Sequence, residues 1–235
     1  MALIDLLFPR QCLGCGREGS YFCPHCLQKV RVMEKLICPA CEKPAINGIT
    51  HPRCHKRDSL DGLISIFSYE GMIRKAIAKL KYKFVTDLAS ELIIKMIQII
   101  ETDRNGRFKY LNYLMEKKEQ VILVPVPLHS RRERWRGFNQ AELLGKILVT
   151  HFGWQFVPDF LFRQKSTKPQ VGLKSDKRQQ NIHGAFKISP NIQIFQYPNI
   201  VIFDDVWTTG STLKEAAETL KKAGAKRVWG LTIAR

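Results

Sequence analysis

The sequence predicts an α/β protein in which a parallel sheet flanked by helices follows a small N-terminal zinc-binding module. Apolar runs of strand length at residues 121–126 and 200–203 are bounded by prolines or acids, which is typical of strands covered on both faces. Stretches with helical spacing of apolar residues surround these runs. All seven cysteines precede residue 55, and they form paired motifs suited to metal.

The cysteine pattern defines the first module, which we assign to residues 1–60. Three Cys-x2-Cys pairs precede a His-x2-Cys pair, and together they supply the ligands of two tetrahedral Zn²⁺ ions. The predicted ligands are Cys12, Cys15, Cys23, Cys26, Cys38, Cys41, His51 and Cys54. Spacing does not decide which pairs share an ion, and His25 or His55 could replace His51.

Other interpretations of this module fit the sequence less well. Disulfides would leave an odd cysteine and would require export, whereas residues 1–10 lack a basic start and a long apolar core. The glycines Gly14, Gly16 and Gly19 match a dinucleotide fingerprint, but no strand precedes them and no helix follows. Because no apolar run is long enough to span a membrane, we expect a reduced, cytoplasmic protein.

The second domain, residues 61–235, begins where a polar stretch interrupts the pattern. Its predicted elements are a strand at 63–69, helices at 72–81 and 88–100, a helical piece before Gln120, a strand at 121–126, a helix from about Asn139, a strand at 200–203, a helix from Leu213 that stops at Gly224, and a strand at 228–233. Strands that alternate with helices in this way predict a parallel sheet.

The most informative stretch reads VIFDDVWTTGSTL, from residue 201. Asp204 and Asp205 follow a covered strand, at the end where open α/β sheets bind ligands. Gly210 lets the backbone approach a ligand, and neighbouring hydroxyls can join backbone N–H groups in holding a phosphate. Two adjacent carboxylates need hydroxyl donors or cations, which a ribose diol and Mg²⁺ supply. Either aspartate alone would more simply be a cap, but the pair joined to TTGST favours a ligand site.

Basic residues are concentrated in two later segments. Arg131, Arg132, Arg134 and Arg136 crowd the predicted loop after the strand at 121–126. Charge runs are usually solvated surface, but a basic loop beyond the carboxyl end of a strand favours anion contact. The segment 163–186, which contains Arg163 and Arg178, has the composition of a mobile surface loop or of an active-site lid.

The stretch VIFDDVWTTGST resembles the phosphoribosyl pyrophosphate (PRPP) motif of type I phosphoribosyltransferases. The resemblance implies that the aspartates hold the ribose hydroxyls, that the threonine-rich loop holds the 5′-phosphate, and that Mg²⁺ accompanies PRPP. The implied PRPP-binding residues are Asp204, Asp205, Val206, Thr208, Thr209, Gly210, Ser211 and Thr212. The arginines implied in pyrophosphate or DNA contact are Arg131, Arg132, Arg134, Arg136, Arg163 and Arg178. No catalytic residue is implied.

The chain as a whole is similar to the ComF family of bacterial competence proteins and GntX-type relatives. The similarity adds LKYK at 80–83, RGFNQAE at 136–142, and the spacing of Arg163, Thr167, Gln170, Leu173, Arg178, Asn181 and Phe186. It implies a double zinc ribbon joined to a phosphoribosyltransferase-like domain. It also implies that the protein takes part in the transport of single-stranded DNA into the cytoplasm during natural transformation and that it binds PRPP. The chain departs from relatives at His51, where a cysteine is common, and at Trp207, which is unusually bulky.

Charge supports a polyanionic partner. The formal net charge is +17 and the pI about 9.7, so the surface attracts polyanions broadly, and we expect single-stranded DNA as a partner. Other DNA-uptake or recombination proteins are further candidate partners. Trp135, Phe138, Trp154 and Phe162 lie among or beside basic runs, as base-stacking residues do, although each alone is more typical of core. A phosphoribosyltransferase with an unidentified acceptor and a non-catalytic PRPP-sensing adaptor stay open as alternatives.

Overall fold

A computed structural model describes residues 9–82, 86–165, 182–190, 192 and 194–235. Its strands are β1 (Gly62–Phe67), β2 (Val121–Pro125), β3 (Gln155–Phe156), β4 (Leu161–Arg163), β5 (Phe186–Ile188), β6 (Asn199–Val206) and β7 (Arg227–Ala234). Five of them form a sheet in the order β1-β7-β6-β2-β3, with every neighbouring pair parallel. The remaining two, β4 and β5, pair antiparallel. The carboxyl ends of the five parallel strands therefore meet at one edge of the sheet.

Helices connect the parallel strands, as crossovers between parallel neighbours require. A short helix, α1 (Pro24–Leu27), precedes β1. The connecting helices among the described residues are α2 (Gly71–Tyr82), α3 (Thr86–Glu101), α4 (Lys109–Glu116), α5 (Ser130–Arg136), α6 (Gln140–Phe152) and α7 (Ser211–Lys222). The long helices α2, α3, α6 and α7 match the predicted ones within a few residues.

The sheet is covered on both faces. Successive residues of a strand point to opposite faces, so Leu123 and Phe203 pack with α2, α3, α4 and α6, whereas Val124 and Ile202 pack with α7 and the β4–β5 pair. This double burial explains why the central strands read as continuous apolar runs. The predicted α/β fold, a parallel sheet flanked by helices, is confirmed.

The arginine-rich stretch differs from the sequence prediction. We predicted a loop before Asn139, but residues 130–136 form the helix α5. The His129 ring accepts a hydrogen bond from the Arg131 backbone N–H at 3.2 Å at the start of this helix, and Gly137 ends it with a φ of 80°. Because no residue of α5 is buried, no apolar periodicity marks the helix in the sequence.

The N-terminal segment packs directly against the α/β domain. The Glu91 carboxylate of α3 accepts hydrogen bonds from the backbone N–H groups of Tyr21 and Phe22 at 3.1 and 2.9 Å. The Met33 backbone N–H also donates to the Ile66 carbonyl of β1 at 2.8 Å. The two predicted domains therefore share buried contacts, and the boundary at residue 60 stays a prediction from the sequence.

Candidate metal centres and ligand cleft

Eight metal-ligating side chains converge in two groups of four. The first cluster consists of Cys12, Cys15, Cys23 and Cys26, and the second of Cys38, Cys41, His51 and Cys54. Within each group, all ligand atoms lie within 4.8 Å of one another. Neighbouring pairs along the chain thus come together, which the spacing alone did not decide. The two clusters fit two zinc ions.

Distances within the clusters match tetrahedral zinc better than disulfides. The Sγ atoms of Cys15 and Cys23 are 3.8 Å apart, close to the edge of a tetrahedron with Zn–S bonds of about 2.3 Å. A disulfide needs a separation of about 2.05 Å. All seven cysteines, each within the described residues, are free. The disulfide alternative therefore has no geometric support.

His51, and not His25 or His55, completes the second cluster. Its Nε2 lies 3.0 Å from the Pro44 carbonyl oxygen. Because a carbonyl can only accept, Nε2 carries the proton and Nδ1 keeps its lone pair for a metal. His55 Nε2 lies instead 3.1 Å from Asp61 Oδ1. Three thiolates and one oriented imidazole are a common structural zinc set.

Gly14 belongs to the first cluster rather than to a nucleotide site. A Cβ at this position would lie 2.7 Å from Cys26 Sγ and 2.8 Å from Met72 Sδ. Close packing of the cluster against α2 therefore requires glycine here. Gly16 and Gly19 have open space around them and φ angles of 77° and 111°, so their backbone conformation, and not packing, favours glycine there.

A cleft of about 740 Å³ opens at the carboxyl end of the sheet. Residues that follow β1, β2 and β6 line it, and so do the first residues of α6 and α7. Asn139 starts α6, where its Oδ1 accepts from the Ala141 N–H and its Nδ2 donates to the Val126 carbonyl, both at 3.1 Å. Helix amino termini favour negative charge, so two of them in one cleft suit an anionic ligand.

The predicted pair of aspartates lies in this cleft beside a lysine that sequence analysis had not placed there. Lys81, near the end of α2, places its Nζ 2.9 Å from Asp205 Oδ2. Burial alone would lower the pKa of Lys81, but the charges of Asp205 and Asp204 raise it overall. Lys81 is therefore a fixed cation of the cleft. Sequence analysis quoted LKYK at 80–83 as a resemblance but did not connect Lys81 with the aspartates, because α2 and β6 are remote in sequence.

The electrostatic environment of Asp204 is unusual. Burial and the adjacent Asp205 raise the pKa of Asp204 to about 7, although Lys81 and Arg163 oppose the rise. Its Oδ1 accepts the Asp205 backbone N–H at 2.8 Å. Burial and nearby Arg132 lower the pKa of Arg163 to about 10, so this guanidinium stays charged at neutral pH. The carboxylate pair thus lies between fixed cations, where hydroxyl donors also fit.

The predicted phosphate loop has a tightly packed base. Gly210 adopts a φ of 69°, and a Cβ there would overlap the Trp207 ring. Trp207 is only 1% exposed and packs with the core beneath α7, which accounts for its bulk. Above it, the Oγ atoms of Thr209 and Ser211 are 2.9 Å apart. The loop therefore rests on a rigid support.

The structure divides the predicted arginines between the cleft and the outer surface. Arg132, Arg136 and Arg163 line the cleft. Arg131 and Arg134, on the same short helix α5, are exposed and are not part of the lining. Burial and the charge of Arg136 lower the pKa of Arg132, which is consistent with its position inside the cleft.

Three buried nitrogen atoms of cleft residues have no hydrogen-bond partner among the described residues: Gln140 Nε2, Arg136 Nε and Trp207 Nε1. Gln140 is 4% exposed, and its Oε1 accepts from an Arg136 guanidinium nitrogen at 2.9 Å, which orients the amide. Buried donors are almost always satisfied in folded proteins. These donors therefore indicate a place for a ligand rich in acceptors. Sequence analysis quoted RGFNQAE as a resemblance but did not single out Gln140.

The four candidate stacking aromatics differ in exposure. Trp135 is 72% exposed and lines the cleft, and Phe162 is also exposed. Phe138 is partly buried. Trp154 is a core residue whose Nε1 donates to the Leu114 carbonyl at 3.2 Å, so it is not available for stacking. Arg178 and the middle of its segment, residues 166–181, lie outside the described residues.

Comparison with known proteins gives consistent matches. Residues 3–56 match the double zinc ribbon domain family, inside the module predicted at 1–60. Competence protein F of Haemophilus influenzae is 30% identical over 94% of this chain and 83% of its own length. The Escherichia coli DNA utilization protein YhgH is 30% identical over 94% and 93%. Competence protein ComFC of Bacillus subtilis is 26% identical over 91% and 83%.

Among the described residues, no helix combines the length and the apolar character needed to cross a bilayer.

Proposed function

This chain belongs to the ComF family, and from that membership we propose that it handles single-stranded DNA during natural transformation and binds PRPP in the cleft. The names of its relatives, which refer to competence and to DNA utilization, support the DNA-related part. One observation carries the PRPP part. A carboxylate pair, a glycine-containing phosphate loop and unpartnered buried donors line a single cleft.

Each part of PRPP has a complementary group in the cleft. The ribose hydroxyls donate to Asp204 and Asp205, whose carboxylates can only accept when ionised. The 5′-phosphate binds to the loop at residues 208–212, at the amino terminus of α7. The pyrophosphate binds to the cleft arginines Arg132 and Arg136 and to the start of α6. Mg²⁺ enters with the pyrophosphate, as a hard cation with oxygen ligands.

The charge of the protein supports the DNA part. A small-molecule site needs positive charge only locally, whereas the net charge of +17 extends over the whole chain. We propose that DNA binding is nearly independent of sequence and weakens steeply with salt as counterions are released. We also propose that the protein, when bound to DNA, interacts with cytoplasmic DNA-uptake or recombination proteins.

Titration calorimetry with PRPP and Mg²⁺ tests the cleft assignment. We expect Asp204→Ala combined with Asp205→Ala to weaken PRPP binding by at least about a hundredfold, because two charge-assisted hydrogen bonds are lost. Zinc content and secondary structure should stay unchanged. Asp159→Ala is the matched control, since Asp159 is exposed and does not line the cleft. Unchanged affinity in the double variant would refute the assignment.

A pyrophosphate-release assay then separates the remaining alternatives. Wild-type protein is incubated with PRPP, Mg²⁺ and a panel of candidate acceptors. Release that depends on one acceptor identifies a phosphoribosyltransferase. PRPP binding without release, together with DNA binding, supports a ligand-regulated DNA-handling protein. PRPP binding without release and without DNA binding favours the adaptor.

A further inference from the structure

A second concave surface lies at the opposite end of the sheet from the cleft. This amino-end groove, of about 500 Å³, lies beside the starts of β1 and β7 and against α4. One wall of the groove is formed by the zinc-binding segment, by which we mean the described residues of the module predicted at 1–60. This wall includes Ile49 and His55. Tyr110, Tyr113 and Trp229 line it from the α/β domain.

The aromatic residues of the amino-end groove are held in place. The Tyr110 and Trp229 rings stack with centroids 3.8 Å apart and an interplanar angle of 17°. Gly62 leaves room for the Trp229 ring, because a Cβ there would overlap it. Tyr113 lies next to Tyr110, at 5.7 Å between centroids, and is 39% exposed. A supported ring thus reaches solvent beside the groove.

The rim of the amino-end groove is basic. Arg227 lines the groove, and its neighbour Lys226 is exposed. Exposed Arg53, Lys56 and Arg57 flank His55 in the zinc-binding segment. The acid in the lining is Asp61, whose charge is neutralised by Lys221 Nζ at 2.7 Å. The groove therefore combines exposed cations with an aromatic platform.

We propose that single-stranded DNA binds in the amino-end groove, with an unpaired base against Tyr113 and backbone phosphates along Arg227 and the 53–57 segment. Base stacking on aromatic rings beside cationic side chains is how proteins hold single strands without reading sequence. This inference rests on the proposed DNA-handling function and names the surface that performs it.

The position of the groove also suits a polyanion. β6 spans the sheet between the two ends, a distance of about 25 Å for a strand of eight residues. DNA in the amino-end groove is therefore remote from the carboxylates Asp204 and Asp205, whose charge repels phosphodiesters. Both ligands can then bind at once.

Fluorescence anisotropy with two labelled oligonucleotides of equal length, one of thymidines and one abasic, tests the proposal. We expect Tyr113→Ala to weaken binding of the thymidine strand by about tenfold and to leave the abasic strand unaffected. Tyr113→Phe keeps the ring and should bind normally. Trp135→Ala is the matched control, an exposed aromatic at the cleft instead of the groove. We expect Arg227→Gln to weaken both strands and to reduce the salt slope by about one.

The outcomes distinguish failure of the groove assignment from failure of the proposed DNA-handling function. Loss of thymidine-strand binding in Trp135→Ala but not in Tyr113→Ala overturns the groove assignment and leaves DNA handling intact. Equal loss for both strands in Tyr113→Ala also overturns it, because a merely structural role affects both strands alike. If the wild-type protein binds neither strand at low salt, the proposed DNA function fails as well. PRPP affinity, measured in parallel, reports whether the groove variants are folded. For Trp135→Ala, zinc content and circular dichroism report folding instead, because Trp135 lines the PRPP cleft.

Discussion

The two ends of the parallel sheet offer opposite chemistry. At the carboxyl end, the amino termini of α6 and α7, buried donors and two carboxylates surround a cleft. At the amino end, aromatic rings and exposed cations surround a groove. In a parallel sheet the helix amino termini follow the carboxyl ends of the strands, so that end binds anions through the backbone. The other end lacks this field and depends on side chains to attract a polyanion.

The ends also differ in their dependence on the zinc-binding segment. Among the residues that the structure describes, none before Tyr69 lines the cleft, whereas the groove includes residues of the zinc-binding segment. The second cluster has one indirect link to the cleft through Glu42, next to Cys41. Its carboxylate is 4.0 Å from Lys214 Nζ, and Lys214 donates to the Thr209 carbonyl at 3.4 Å. Loss of zinc should therefore affect the two ends unequally.

Removal of the second zinc ion should give the largest difference between the ends. Cys41→Ser and Cys15→Ser each remove one exposed ligand, from the second and the first cluster respectively. Because metal binding supplies the folding free energy of such segments, we expect Cys41→Ser to disorder the basic rim and to weaken DNA binding by about a hundredfold. PRPP affinity should fall only about threefold, through the Lys214 contact. Metal analysis, anisotropy and calorimetry measure the three quantities.

Cys15→Ser supplies the control for this comparison. It should also reduce the zinc content from two ions to about one per chain, but the rim residues 53–57 adjoin the other cluster through Cys54. Equal loss of DNA binding in the two variants would show that the second cluster has no special relation to the groove.

The arginines of α5 allow a second test of the comparison, at the cleft. Arg132→Gln with Arg136→Gln removes two cations of the cleft, whereas Arg131→Gln with Arg134→Gln removes the same charge from the outer surface of the same helix. We expect the first pair to weaken PRPP binding by about thirtyfold, as charge-assisted contacts to pyrophosphate are lost. The second pair should leave PRPP affinity unchanged in calorimetry. Equal effects would place pyrophosphate outside the cleft.

Sequence reasoning was strongest where one segment carries the whole signal. The cysteine pairs indicated eight ligands, and the apolar run before Asp204 indicated a covered strand, at whose end the cleft lies. It was weakest for contacts between remote segments, such as Lys81 with Asp205 and Phe22 with Glu91. Neither pair has a spacing that could reveal it. Exposed α5 was missed for another reason, since amphipathic periodicity appears only where one face is buried.

The smallest expected effect is a pH dependence confined to the cleft. The raised pKa of Asp204, about 7, means that the free protein binds a proton there below pH 7 and loses it above. Ribose hydroxyls favour the ionised carboxylate, so PRPP affinity should rise about tenfold from pH 6 to pH 8. Asp204→Asn should flatten this part of the profile, and DNA binding at the amino end should not follow it. A profile that is identical in Asp204→Asn assigns the titration to the ligand phosphates.

The hydrogen bonds that Glu91 accepts from the backbone beside the first cluster have a consequence for folding during synthesis. Tyr21 and Phe22, which donate to Glu91, leave the ribosome 70 and 69 residues before it. At translation rates of about 5–20 residues per second, this separation corresponds to several seconds. Throughout that interval the nascent cluster lacks its docking partner on α3, and only metal can hold its shape. We therefore expect zinc supply during translation, and not only after release, to influence how many chains reach the folded state.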